Sequence, residues 1–454
     1  MEFLLGIAAL VVLAWWLVVT GRGGLLAGCL AVLVAGIFFG ASFYRIETEP
    51  IPVTADRLLF VALLAQYAIC LKLGWAEWKP LGKADVVLAA LLVVLTASTL
   101  THPWQVRGAE PLARLLFYFF MPAALYGVAR QTEITPRLVR GVTLALALVG
   151  VYVGSIAILE WRQLDALVFP RYIASPEHIE FLGRARGPLL NPAANGILLA
   201  VCLTAGLLWW PAVGRWGKLG LVLFAAVLLL AVYGTLTRTA WMGAAAALGT
   251  LSAVTLPRQW RGLVLIGLLV LGAMVVVTQG ERLMAFRRDR HLSAQETAES
   301  VRLRPVLAMV AWKMFLDKPL LGHGFGQYMT ESRTYLSDRD TQLVLESARP
   351  FTQHNVWLAL LAETGLTGAG LFTLLFVFWT RDAWRLWRSR ELDPWLRRLG
   401  LLWLGSLAGY LPNAMMHDAS IMPMVNMLIF FVAGTTAAAR VGGSRGSLVD
   451  AREE

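Results

Sequence analysis

Residues 140–160 read RGVTLALALVGVYVGSIAILE, an apolar run whose charges, Arg140 and Glu160, stand at its two ends. A helix needs about 20 apolar residues to cross a hydrocarbon core of about 30 Å, so this stretch reads as membrane-spanning. Outward from it, comparable runs recur at 3–20, 24–43, 57–74, 84–101, 113–129, 188–210, 217–234, 238–256, 261–278, 355–380, 399–416 and 420–439. With 140–160 they predict an all-α, polytopic transmembrane bundle of 12–13 helices. The composition agrees: 58% of the 454 residues are hydrophobic and 15% charged, against roughly 45–50% and 25% in soluble domains. The first run lacks a basic leader and runs through Gly21-Arg22-Gly23-Gly24 into the next, so it is expected to be a retained helix rather than a signal peptide.

The loops set the orientation. Short connections after the third run (Lys72, Lys79, Lys83), the fifth (Arg130, Arg137, Arg140), the seventh (Arg215, Lys218), the ninth (Arg258, Arg261) and the eleventh (Arg381 to Arg398) are basic. The positive-inside rule puts them in the cytoplasm. The alternate connections, including 161–187, the turn at Arg238, the long stretch 279–354 and 411–420, then lie outside. Trp209, Trp210, Trp216, Trp260, Trp384 and Trp387 sit where an interfacial belt is expected. The chain divides into amino-terminal helices (1–183), helices with outward arginines (184–278), a periplasmic loop (279–354), carboxy-terminal helices (355–439) and a polar cytoplasmic tail (440–454). Within the loop, Val306, Leu307, Val310, Met314 and Phe315 recur at helical spacing, flanked by Arg302, Arg304 and Lys313. They predict an amphipathic helix lying in the outer interface.

Several function classes are set aside by the same reading. The net charge of +11 forms no basic stripe on a soluble module, so no nucleic acid is expected as a partner. Cys29, Cys70 and Cys202 each lie inside an apolar run without ligand spacing, and no Asp-rich or His/Asp/Glu set points to a metal or other cofactor. A transporter would carry repeated halves and charges at mid-membrane, whereas here the polar groups sit at the outer ends.

Three outward elements carry chemistry. The segment 183–196 places Arg184 and Arg186 ahead of Asn191-Pro192, at a helix start whose N–H groups favour anions; interfacial arginines on lipid headgroups are the plainer alternative. Arg238, in the turn 234–241, stands on the side where basic residues are selected against. Gln353-His354-Asn355 opens the eleventh run, and histidine suits general-base work near neutral pH, although one His at a helix mouth is more often a plain hydrogen-bonder. His323, between glycines in 319–326, reads as a rival base in a mobile turn; Glu363 reads as too deep. Paired outward cations and one base suit transfer from a membrane-anchored pyrophosphate, arginine matching phosphate oxygens with its planar fork.

The pattern Arg184-x-x-Gly187-x-x-x-Asn191-Pro192, the turn Thr237-Arg238-Thr239-Ala240-Trp241, the stretch 312–326 and the stretch 353–368 resemble the O-antigen ligase and polymerase superfamily, in order and in spacing around one long outer loop. The resemblance spans about 184–368; where such chains often show Asn-Pro-Asn, this one has Ala193. It implies a metal-independent, inverting, GT-C-like transfer of a glycan from undecaprenyl pyrophosphate to an acceptor hydroxyl. The site would be periplasmic, on the bacterial inner membrane, in lipopolysaccharide biosynthesis. The acceptor would be lipid A-core or another surface glycan, with membrane lipids around the enzyme. It assigns Arg184 and Arg238 to the pyrophosphate, with adjacent Arg186 able to share or take the first role, and His354 to the acceptor, as catalytic residues; Arg186, Asn191, Arg302, Arg304 and His323 are further expected as substrate contacts. A polymerase joining lipid-linked repeats and a protein O-oligosaccharyltransferase are the alternatives that the same resemblance leaves open.

Overall fold

The structure, a computed structural model, describes residues 24–46, 52–103, 110–263, 266–267, 294–338, 343–349 and 351–453, with the side chains of 294–302 and 442–453 left undescribed. The expected run at 3–20 and most of that at 261–278 lie outside the described residues. The other runs are helices: α1 (Gly24–Phe39), α2 (Ala55–Lys72), α3 (Lys83–Leu100), α4 (Pro111–Gln131), α5 (Pro136–Trp161), α6 (Pro192–Leu207), α7 (Arg215–Gly234), α8 (Arg238–Thr255), α9 (Ala294–Asp317), α10 (Val356–Arg388), α11 (Pro394–Met416) and α12 (Pro423–Glu453). Seven of the described helices are long and apolar enough to cross a membrane. The protein is therefore an all-α, multi-pass membrane protein, as expected.

The centre of the bundle is built on small residues. A Cβ on Gly243 of α8 would meet the Gly409 carbonyl of α11 at 2.5 Å, and one on Gly196 of α6 would meet Ala240 of α8 at 2.3 Å. Apolar tails gain little by leaving lipid, so close backbone approach is what holds such helices together. α6 is buried along almost its whole length, whereas α7 keeps Trp216, Leu219, Val222 and Leu223 exposed as a lipid face.

Loops read as lying on one side do meet one another. At one end Gln327 donates to the Pro103 carbonyl (2.8 Å), the Phe325 N–H to Ser98 (2.9 Å) and the Ala185 N–H to the Gly234 carbonyl (2.9 Å). At the other, Lys79 reaches the Thr132 carbonyl (2.6 Å), Arg130 pairs with Asp85 (2.7 Å), and Trp209 packs on Trp395. This second end carries the short basic loops; the first is called the outer end below.

The loop 294–355 departs from expectation. The apolar face of α9, Val306, Leu307, Val310, Ala311 and Met314, is buried in a small core with Tyr328, Leu336, Leu345, Ala348 and Ala362. Its partner is protein, because the short helical turns 328–335 and 345–348 fold over it; Trp312, Leu316, Leu320 and Leu321 remain exposed.

Candidate active site

The outer end is assembled by backbone groups that regular helix leaves over. α10 breaks at Gly365 (φ +61°, ψ −160°). The backbone groups thus freed pair with the turn 319–324: the His323 N–H donates to the Ala362 carbonyl (3.0 Å), the Gly324 N–H to Glu363 (2.9 Å), and the Leu366 N–H to Pro319 (2.8 Å). Irregular backbone near membrane depth is tolerated only when protein satisfies it in this way. Glycine is required on both sides, since a Cβ on Gly322 would lie 2.4 Å from the Glu363 backbone and one on Gly365 2.4 Å from that of Leu320. The turn is thus docked along the α10 break, where the sequence suggested a mobile one. His323 is buried in it, its Nε2 3.0 Å from the Met314 carbonyl and 3.3 Å from the Tyr335 hydroxyl, with Asp317 and Glu331 alongside. Its ring is enclosed by the loop's own core.

Arg186 and Arg184, two residues apart, have different surroundings. All three nitrogens of Arg186, which is fully buried, donate to protein: to the carbonyls of Ile173, His178, Glu180 and Ser175, with Glu160 at 3.3 Å. It braces the loop 173–180. Arg184 crosses to the 234–241 turn, donating from Nε to the Thr235 carbonyl (3.1 Å) and from Nη2 to Thr237 Oγ1 (2.6 Å). Asn191 caps α6, its Oδ1 accepting from the N–H groups of Ala193 (2.9 Å) and Ala194 (3.1 Å). The N–H groups expected to favour an anion there are therefore partly occupied. At the start of α8, by contrast, Thr237 makes no side-chain cap, and half-buried Arg238 is the first helical residue.

The carboxyl end of α11 joins these elements. Thr239 donates to Asn413 Oδ1 (2.9 Å), the Asn413 carbonyl accepts from the His417 N–H (2.8 Å), and the His417 ring lies 6.3 Å from that of His354. His354 is anchored by its neighbour: Asn355 caps α10 and donates to the Met415 carbonyl (2.9 Å). Arg304 reaches Met416 Sδ (3.8 Å). His354 stays partly open to solvent, yet desolvation by its surroundings and then the charge of Arg304 hold its pKa below the usual imidazole value. A neutral imidazole at pH 7 can accept a proton. The side chain of Arg302 lies outside the described residues.

Sequence reasoning missed a buried ion cluster beside this group. Arg114, at the outer start of α4, bonds both carboxylate oxygens of Glu363 (3.0 and 2.8 Å), lies 3.7 Å from Asp418 and donates to Ser420 (3.3 Å). Burial raises the Asp418 carboxyl to about 6, with Arg114 opposing. An arginine at the outer end of an apolar run is the signal that singled out Arg238, and it was present at Arg114 too. Tyr118 was illegible for another reason. It sits in a π-turn (Leu116–Phe120), where Pro122 cannot donate to its carbonyl, and Asn426 donates instead (3.1 Å). Among the described residues no three His, Cys, Asp or Glu side chains converge as metal ligands.

Comparison with known proteins bears on this end of the molecule. Residues 221–373 match the sequence profile of the family described as O-Antigen ligase. An O-antigen ligase of Salmonella typhimurium (strain LT2) is 28% identical over 201 residues, covering 43% of this chain. The match spans about half of that relative, 47% of its length. The resemblance to the O-antigen ligase superfamily read from the motifs is supported by both.

Proposed function

We propose that this chain is a glycosyltransferase that moves a glycan from undecaprenyl pyrophosphate to a hydroxyl of lipid A-core or another surface glycan, at the periplasmic face of the inner membrane. One observation carries the reading: contacts through Thr237, Thr239, Asn413 and His417 gather Arg184, Arg238 and His354 at the same end of the bundle. The acceptor oxygen attacks the anomeric carbon as the bond from that carbon to the pyrophosphate oxygen breaks. The bonding pair leaves with undecaprenyl pyrophosphate, whose developing charge Arg184, Arg238 and the uncapped start of α8 offset. The acceptor proton passes to the His354 imidazole. Attack opposite the leaving group inverts the anomeric centre. Arg186, committed to the loop, is a brace for Arg184 rather than a phosphate ligand, and His323 is likewise structural. The similarity to a protein named O-antigen ligase favours lipid A-core over a second lipid-linked repeat as acceptor.

The test is transfer by the purified chain in nanodiscs, supplied with undecaprenyl-pyrophosphate-linked glycan and lipid A-core. The expected result is glycan appearing on lipid A-core, no product with Arg238→Ala and little with Arg238→Lys, which keeps the charge but loses the fork. Donor left unconsumed by the wild-type chain, or near-normal product from Arg238→Ala at normal abundance, would overturn the reading. Donor consumed only into longer lipid-linked chains would make the chain a polymerase.

A further inference from the structure

Adjoining the His354 group is a cavity of about 510 Å³ whose walls include Glu110, Arg114, Tyr118, Tyr328, Gln353 and Asp418. The volume falls within the roughly 300–1,000 Å³ of ordinary small-ligand clefts. Its place in the chain is specific: Thr352 and Gln353 of the wall run directly into His354, and Asp418 directly follows His417.

The charges of the wall are unbalanced. Among the described residues of the wall, Glu110, Glu363 and Asp418 face one arginine, Arg114, which already holds both oxygens of Glu363. Such a wall repels a pyrophosphate, so the donor's phosphates belong with Arg184 and Arg238, outside this lining. The wall also carries polar atoms in want of partners. The Tyr328 hydroxyl and Gln353 Oε1 are buried, on side chains each 2% exposed, and have no hydrogen-bond partner among the described residues; nor has Arg114 Nε. Buried polar atoms are almost always satisfied, and leaving them unpaired is costly unless a bound group supplies the partner. Here the unmet set is mixed: a hydroxyl, an amide oxygen that only accepts and an N–H that only donates. Sugar hydroxyls donate and accept, and so meet all three. The rings of Tyr118 and Tyr328 offer apolar faces beside these polar atoms, which suits the C–H faces of a sugar.

We infer that this cavity is the acceptor subsite, binding the neutral, hydroxyl-bearing end of the acceptor glycan and holding it next to His354, apart from the phosphates of the donor. The inference rests on the transferase reading for its role, but not for its ligand. Binding is therefore measured first, without donor, on the full chain in nanodiscs by titration calorimetry. The probe is core oligosaccharide released from lipid A by mild acid and stripped of phosphate. The wild-type chain should bind it, and Tyr328→Phe and Gln353→Leu should each weaken binding about tenfold by removing one hydrogen bond. In the transfer assay the same variants should raise the KM for acceptor by a similar factor and leave the KM for donor unchanged. Tyr328→Phe keeps the buried ring, so it reports even where Gln353→Leu fails to fold. No binding by the wild-type chain, binding as tight as wild type by both variants, or a raised KM for donor instead of acceptor would overturn the subsite. Variant-sensitive binding in a chain that transfers nothing would uphold the subsite and sink the transferase reading.

Discussion

Arg184 and Arg186 share one loop and one pair of glycine neighbours, yet they belong to different parts of the molecule. Arg186 points into the 165–180 loop, where every nitrogen meets a carbonyl and Glu160 lies alongside. Arg184 reaches across to Thr235 and Thr237, the latter the residue before Arg238 at the start of α8. The two histidines of the long loop divide in the same way: His323 lies within a small core, and His354 stands open at the mouth of α10. In both pairs one member holds together its own loop, while the other sits where separate elements meet: Arg184, itself buried, ties its loop to the start of α8, and His354 opens α10. Which elements the hydrogen bonds join separates them, and residue type does not.

The largest effect should come from Arg186→Ala. It strips the buried Ile173 carbonyl and three part-buried ones of their donor and leaves Glu160 buried without its cation, a loss of about 3–5 kcal/mol for a broken buried pair. The outcome is a fall in membrane abundance and thermal stability, measured by a fluorescence size-exclusion melt. Normal abundance with transfer lost would break the comparison, because Arg186 would then act on substrate.

His354→Ala should leave abundance intact and lower turnover by about 10²–10⁴-fold, the usual contribution of a general base, with donor binding largely kept. A rise in donor KM at unchanged saturating turnover would turn His354 into a phosphate ligand. The companion His323→Ala sharpens the contrast, since its loss should appear first in the melt.

A smaller effect concerns pH. The His354 pKa is held below its ordinary value, so the base form is present at neutral pH, and turnover should fall only as pH drops below about 6.5. Arg304→Ala removes a positive charge that disfavours the imidazolium. The His354 pKa should therefore rise, and the acid limb of the turnover profile should move to higher pH. An acid limb that stays in place would remove Arg304 from the surroundings that tune the base.

The described helices, their order and the gathering of their loops at two ends were legible in the sequence, because spanning a bilayer is a local demand. About 20 apolar residues suffice wherever they stand, and the basic loops between them mark the sides. The motifs around Arg184, Arg238 and His354 were legible too, each at a helix mouth. What sequence could not decide was which polar group is spent on which partner. Arg184 against the turn 235–237, the 319–324 turn against the break at Gly365, and Arg114 against Glu363, 249 positions away, are pairings between segments remote in the chain. They exist only once the helices have packed, since a buried donor is committed by the acceptor that folding brings to it.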